Sequence, residues 1–196
     1  MTILGFSSSP RRGGNSEKIL TSFLQGASQE GFAVEFIRLN DLKIRPCQAC
    51  DLCAATGICI IQDDMQLLHT KMASCRGVVI ATPVFFGTFS AQLKMFIDRF
   101  QCWWHAKYHL GKPFIKEEEQ RPAFFICVGA IKKKEYCENA AFAVDVFFNV
   151  INLKGQGQLF YRGYDEKGVI AKNPENLKKG MLEGEKFTRL LASKES

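Results

Sequence analysis

Nowhere in these 196 residues is there an apolar run of membrane-spanning length, which requires about 20 consecutive residues. No membrane association is expected. Met1 to Phe6 enters a strand pattern directly, without a basic segment, a long apolar stretch or a cleavage site. No export signal is expected either, which points to a cytoplasmic chain. Internal repeats and low-complexity tracts are missing. The G-x-G-x-x-G pattern and the G-x-x-x-x-G-K-[ST] loop are both missing, which excludes a dinucleotide fingerprint and a nucleoside-triphosphate loop. Lysine and arginine exceed aspartate and glutamate by 26 to 20. The excess at Arg11, Arg12, Lys132 to Lys134, Lys178 and Lys179 is dispersed and fits no nucleic-acid motif, so no nucleic-acid partner is expected. These residues read as solvated faces, with some attraction for phosphorylated ligands.

What is present is an alternation of short apolar runs and helical stripes. Hydrophobic residues at 46% and charged ones at 23% are ordinary for a globular chain. The length suits one core, so residues 1–196 are expected to form a single domain. Strands are expected at Thr2–Phe6, Ala33–Leu39, Gly77–Ala81, Ala123–Val128 and Gln158–Tyr161. Helical stripes follow at Ile19 to Ala27, Met65 to Met72, Leu93 to Phe100 and Ala140 to Ile151, with a last helix from Pro174. Asn15 or Ser16 is expected to cap the first helix. Asp63 and Gln66 have capping-box spacing. Residues 106–120 read as a polar surface excursion.

Strands alternating with helices predict an α/β fold: a three-layer, doubly wound, five-stranded parallel sheet of order 2-1-3-4-5. Such sheets bind ligands at the carboxyl ends of their strands, near the topological switch. Chemistry is therefore expected in the loops after strands one, three and four.

Eight cysteines are present, and four crowd into an insertion at 46–60. Cys47, Cys50, Cys53 and Cys59 have the spacing C-x2-C-x2-C-x5-C. A segment this short can converge four thiolates on one [4Fe–4S] cluster. Three alternatives stay open. Structural zinc more often uses two separated pairs. Disulfides are disfavoured without export. The thiols could also be empty. Cys75, Cys102, Cys127 and Cys137 are scattered, and Cys127 reads as a small core residue.

The loop from Ser7 to Ser16 offers hydroxyls, guanidinium groups, glycines and a helix N-terminus. Backbone N–H groups there suit a phosphate. Lacking triphosphate machinery, the loop fits a flavin mononucleotide; the alternative is a plain surface loop of turn formers. Thr82 to Ser90 is unusually apolar for a loop. Phe85 and Phe86 would be costly to expose unless they covered something flat, such as an isoalloxazine ring, or joined the core. Gly87 permits close backbone approach. Backbone at Gly129-Ala130 could meet the pyrimidine edge of the ring. Trp103 and Trp104 read as interface packing or as lining for the flavin pocket. His69, His105 and His109 are assigned no chemistry.

Taken together these residues resemble the NAD(P)H-dependent FMN reductase superfamily and, within it, the iron–sulfur flavoproteins. The matching pieces are Gly5-Phe6-Ser7-Ser8-Ser9-Pro10-Arg11 with Gly14-Asn15-Ser16, then Cys47 to Cys59 with Asp63-Asp64-Met65. Thr82 to Gly87, Ser90 to Lys94 and Asp98-Arg99 complete them. Ser7-Ser8-Ser9 stands where Gly-Ser or Ser-Gly-Ser is more usual. The glycine-rich stretch after strand four is reduced to Gly129-Ala130. The resemblance implies a flavodoxin-like fold, one FMN per subunit and a homodimer or homotetramer. It carries phosphate contacts to Ser9, Arg11, Asn15 and Ser16, with Ser7 beside them. Ring contacts carry to Pro83, Val84, Phe85, Phe86 and Gly87, and cluster ligation to Cys47, Cys50, Cys53 and Cys59.

The expected activity is electron transfer. A reduced donor, NAD(P)H or a ferredoxin-like protein, would reduce the flavin, and the cluster would pass electrons on singly. No side chain need act as acid or base, because cofactors carry this chemistry. The alternatives are a non-enzymatic flavin electron carrier or redox sensor and, more distantly, a zinc-stapled binding domain.

Overall fold

Apolar residues alternate between the two faces of the central strands, and both faces are covered. The computed structural model describes residues 2–192; Met1 and 193–196 of the expected domain span lie outside the described residues. In chain order the elements are β1 (Thr2–Ser7), α1 (Asn15–Gln29), β2 (Ala33–Arg38), α2 (Met65–Ser74), β3 (Gly77–Phe85) and β4 (Thr88–Phe89). There follow α3 (Ala91–Asp98), α4 (Gln101–Tyr108), β5 (Arg121–Gly129), α5 (Glu135–Val150), β6 (Leu153–Arg162) and α6 (Pro174–Ala192).

Five strands pair in parallel in the order β2-β1-β3-β5-β6. With β4 set aside, this is the predicted flavodoxin-like order. Leu4, Phe6, Val78, Ile80, Phe125 and Cys127 face one apolar cluster with residues of α2 to α5. Their neighbours Ile3, Val79, Ala81, Phe124, Ile126 and Val128 face the other, with α1 and α6. Strands buried on both faces read as continuous apolar runs, which is why the centre of the sheet is visible in the sequence. The α1–α6 crossing is so close that a Cβ at Gly26 or Gly184 would collide with the facing helix backbone.

Several boundaries differ from expectation. β6 begins at Leu153, five residues early, because Lys154 to Gly157 are polar or glycine and carry no strand signal. The Leu93–Phe100 stripe is broken into α3 and α4 at Arg99-Phe100. That turn carries Trp103 into the core, where it stacks on Phe114 with ring centroids 4.7 Å apart. Trp104 packs on Tyr108 and His109. Neither tryptophan lines the cleft described below. The α2 capping box forms as expected: Met65 N–H donates to Asp63 Oδ1 at 3.0 Å, and Asp63 N–H to Gln66 Oε1 at 2.9 Å.

Candidate functional site: a cleft at the carboxyl ends of the strands

Ser7 ends β1, and the chain then folds into a tight loop before α1. Ser9 Oγ accepts the Arg11 N–H at 3.2 Å, and Gly14 N–H reaches Arg11 O at 3.0 Å. A Cβ at Gly14 would stand 2.9 Å from both Arg11 O and Ser9 Oγ, so the turn closes only around glycine. Helix α1 begins at Asn15, earlier than a side-chain cap at Asn15 or Ser16 would allow, and its N-cap is Gly14. Asn15 instead staples the loop after β6. Its Nδ2 donates to Glu166 O at 2.9 Å, and its Oδ1 accepts the Ile170 N–H at 3.2 Å. Ser16 is buried, and its Oγ has no hydrogen-bond partner; Ser7 Oγ is in the same state. An unsatisfied buried hydroxyl costs about 1–3 kcal/mol, so the one at Ser16, in the first turn of α1, calls for an explanation.

The segment after β3 is a hairpin, not a loop. β3 continues to Phe85 and pairs antiparallel with β4, Phe85 opposite Thr88. Phe86 and Gly87 form the two-residue turn with φ of 48° and 80°. The sequence does not announce it, because such turns are usually Asn-Gly or Asp-Gly. Phe86 is fully exposed at the tip and Phe85 is partly exposed. Three buried hydroxyls hold the hairpin base against the first loop. Ser8 Oγ donates to Thr82 Oγ1 at 2.8 Å, and Ser90 Oγ to Ser8 O at 2.9 Å.

These loops enclose a cleft with a volume of about 80 Å³. The structure brings Ser9, Arg11, Asn15, Ser16, Pro83, Val84, Phe85 and Ala130 around it. Phe86, Gly87 and Gly129 line an adjoining cavity that shares Val84 and Ala130. Ser7 lines neither and lies behind the first loop. Sequence reasoning missed Tyr164, Asp165 and Lys167, which close the cleft from the β6 side. The signal was available: they too lie just past the carboxyl end of a parallel strand.

The cysteine segment lies elsewhere, against α4. A Cβ at Gly57 would meet Ala106 Cβ at 2.9 Å, so glycine permits the approach. Residues 49, 51 and 57 all have positive φ, which curls the segment with a short 3-10 turn at Leu52–Ala54. Cys47 and Cys50 are exposed, and Cys53 and Cys59 are half-buried. Burial pushes the Cys53 thiol up; its own backbone hydrogen bond opposes this, while Cys59, Cys50 and Cys47 push it further. Cys53 is thus within electrostatic reach of the other three. Among the described residues, no three His, Cys, Asp or Glu groups stand at metal-ligating spacing. Every one of the eight cysteines is free.

A doubly wound parallel sheet with its cleft at the strand ends and a helix N-terminus in the cleft wall defines a flavodoxin-like α/β protein. Comparison with known proteins narrows this. Residues 1–160 match the model of the NADPH-dependent FMN reductases, and the chain belongs to that family, a family of oxidoreductases. An iron–sulfur flavoprotein of Methanosarcina thermophila is 39% identical over 99 residues, which is 50% of this chain and 52% of that one. One from Methanocaldococcus jannaschii is 40% identical over 99 residues, 50% and 51% of the two chains. The matches thus span about half the length of these relatives. Among solved structures, a flavone reductase superposes with a TM-score of 0.74 at 20% identity, covering 100% of this chain and 64% of that one. An NAD(P)H:quinone oxidoreductase from Methanothermobacter marburgensis gives 0.74 at 17% identity and 94% of both chains. At such identities these superpositions show the fold. Among the described residues no helix is long and apolar enough to cross a membrane.

Proposed function

We propose that this chain is an FMN-dependent oxidoreductase of the iron–sulfur flavoprotein kind. It would move electrons from a reduced donor, NAD(P)H or a ferredoxin-like protein, to an acceptor. The observation that carries the flavin reading is the unpartnered Ser16 hydroxyl, buried in the cleft at the N-terminus of α1. A phosphate there would accept that hydroxyl and the free N–H groups of the first helical turn. Ser9 and Arg11 would complete its shell, and Lys167 adds positive charge. Pro83, Val84 and Phe85 would flank a planar ring, with Phe86 and Gly87 at its edge and the Gly129-Ala130 backbone opposite. Asn15 serves by stapling the β6 loop over the phosphate side. Bound FMN supplies hydride acceptance followed by release of single electrons. The chain's part is to position the ring, shield it from water and leave one edge open to the donor.

Cys47, Cys50, Cys53 and Cys59 would hold a [4Fe–4S] cluster. The C-x2-C-x2-C-x5-C spacing and the curled segment support this assignment, as does the similarity to proteins named iron–sulfur flavoproteins. A bound cluster supplies one-electron transfer. We place the chain in the cytoplasm, in one domain over 1–196 and in a homodimer or homotetramer. The exposed Phe86, Phe142 and Val146 are compatible with an interface.

The test is anaerobic purification followed by a visible spectrum and by flavin, iron and zinc analysis. An FMN spectrum with about four irons per chain is expected. A colourless protein holding zinc and no iron would overturn both assignments. Stopped-flow mixing with NADPH and NADH then separates the reductase from a passive carrier. Rapid bleaching marks the reductase, and inertness to both marks the carrier.

A further inference from the structure

A third depression opens past the carboxyl end of β6, the last strand in the sheet order. It holds about 450 Å³, and Lys132, Arg162 and Lys179 line it together with Tyr164 and Asn176. Among the described residues no carboxylate lines it. Tyr164 also lines the cleft, so the two hollows share a wall. The β5–α5 loop divides it from the cavity beside the cleft: Ile131 and Lys133 line that cavity, and Lys132 lines the new pocket. A concave hollow of this size suits a small ligand.

Three segments of the chain bring the cations together, each for a local reason. Arg162 is the last residue of β6, and its Nη1–H donates to Lys132 O at 3.2 Å. That bond ties the β5–α5 loop to the strand end. Gly163 follows with φ of 85°. A Cβ there would stand 3.5 Å from Lys132 Cε, so the lysine stem runs along this turn. Asn176 and Lys179, three residues apart on α6, share a helix face. Asn176 Nδ2–H donates to Tyr164 Oη at 2.9 Å, and Tyr161 Oη–H donates to Asn176 O at 3.0 Å. Tyr164 Oη is the acceptor in its bond, and its own proton has no acceptor among the described residues.

The charges in this pocket are unmatched. Neighbours on the same stretches meet carboxylates: Lys134 reaches Glu138 at 3.0 Å, and Lys178 reaches Glu175 at 3.9 Å. Lys132, Arg162 and Lys179 have no carboxylate partner among the described residues. A hollow lined by one sign of charge concentrates the field inside it and draws in an anion.

We propose that this pocket seats the 2′-phosphate of NADPH and gives the chain a preference for NADPH over NADH. The two nucleotides differ only in that phosphomonoester. Arg162 spends only Nη1 on Lys132 O, so its other N–H groups are available to phosphate oxygens. Lys132 and Lys179 add compact point charges, and the Tyr164 hydroxyl has a proton to donate. The rest of the dinucleotide would run past Tyr164 toward the cleft. The choice of NADPH rests on the flavin reductase reading; the binding of a 2′-phosphorylated nucleotide does not. A free phosphate shares the chemistry, and the test separates the two.

Calorimetric titration of the folded full chain, with whatever flavin and iron it carries, reads the pocket directly. The probes are adenosine 2′,5′-bisphosphate, AMP and inorganic phosphate. The bisphosphate should bind at least about tenfold more tightly than either of the others. Arg162→Gln should weaken the bisphosphate roughly ten- to a hundredfold, and Lys132→Gln and Lys179→Gln should act in the same direction. Lys178→Gln, next to Lys179 but outside the pocket, is the control, with circular dichroism checking the fold of every variant. Stopped-flow flavin reduction gives a second reading: the NADPH-to-NADH ratio of second-order rates should fall in Arg162→Gln by the factor lost for the bisphosphate. Equal binding of the bisphosphate and AMP overturns the proposal. So does inorganic phosphate bound as tightly as the bisphosphate, which marks a phosphate site without a nucleotide. Equal losses in Lys178→Gln and Lys179→Gln mark a diffuse surface charge and overturn it too. A flavin-loaded chain reduced equally fast by NADPH and NADH overturns the preference and leaves the flavin reading intact. A chain that discriminates the bisphosphate but never binds FMN supports the pocket and fails the flavin reading alone.

Discussion

Arg99 and Asp63 form a buried ion pair under the cysteine segment, Nη1 to Oδ2 at 2.5 Å, with side-chain exposures of 0% and 5%. The same guanidinium donates to Arg45 O at 2.9 Å and Ile61 O at 3.1 Å. Arg45 precedes the first cysteine, and Ile61 follows the last. One side chain on the α3–α4 turn therefore closes the neck of the whole insertion. Asp63→Asn should leave the Arg99 charge uncompensated and cost roughly 3–5 kcal/mol. Urea unfolding measures that loss. Adding Arg99→Met to Asp63→Asn removes the orphaned charge and should recover much of the stability. It leaves both neck carbonyls unmet, so iron retention in anaerobic preparations should stay low. Full recovery of iron in the double variant would show that the neck does not organise the cysteines.

Acid should destabilise this region in two separate windows. Burial, and then the Arg99 charge, lower the His69 pKa from 6.5 to about 4. Between those values the unfolded chain binds a proton that the folded chain refuses, so stability falls as pH falls through the window. The loss is on the order of 3 kcal/mol when complete. For Asp63, burial pushes upward, but hydrogen bonds from Arg99, Arg45 and Met65 and the Arg99 charge outweigh it and lower its pKa. Its contribution is present above the ordinary value of 3.8 and is lost only at lower pH. Urea midpoints from pH 7.5 to 4.5 should decline in the parent chain and be markedly flatter in His69→Phe. An equal slope in the variant would assign the effect to other groups.

Ser16 should show opposite effects on stability and on binding. Replacing it with alanine removes an unsatisfied buried hydroxyl, so the flavin-free chain should gain about 1–3 kcal/mol. The same change deletes a donor to a charged phosphate, worth about 1.5–3 kcal/mol. FMN affinity should therefore fall roughly ten- to a hundredfold. Thermal unfolding without flavin and fluorescence titration with FMN give the two numbers. A stabilised variant that binds FMN undiminished would place the phosphate elsewhere.

What could be read from the sequence was local. β1, β3 and β5 are apolar runs, and Asp63 with Gln66 marks the start of α2 within four residues. What could not be read depends on contacts made at long separation. Arg99 sits in an amphipathic stripe where a charge reads as solvent-facing, yet its partner lies 36 residues earlier. Asn15 resembles a cap, but its bonds go to residues 164, 166 and 170. Tyr164, Asp165 and Lys167 reach the cleft only because the sheet closes it from that side. They also lie beyond the residues that match the family model.

Phe86 is held in a conformation that its side chain disfavours. Its φ of 48° precedes Gly87 at 80° in a two-residue hairpin turn, the setting in which Asn-Gly is preferred. A residue with a Cβ pays about 1–2 kcal/mol for the left-handed region, and asparagine pays less. Its ring is fully exposed, so no core packing offsets that cost within the chain. Phe86→Asn should therefore raise stability by about 1 kcal/mol in urea unfolding. If the ring covers the flavin edge, the same variant should bind FMN more weakly and Phe86→Tyr should bind it normally. Fluorescence titration of the three chains distinguishes this from a merely exposed turn, for which all three would bind FMN alike.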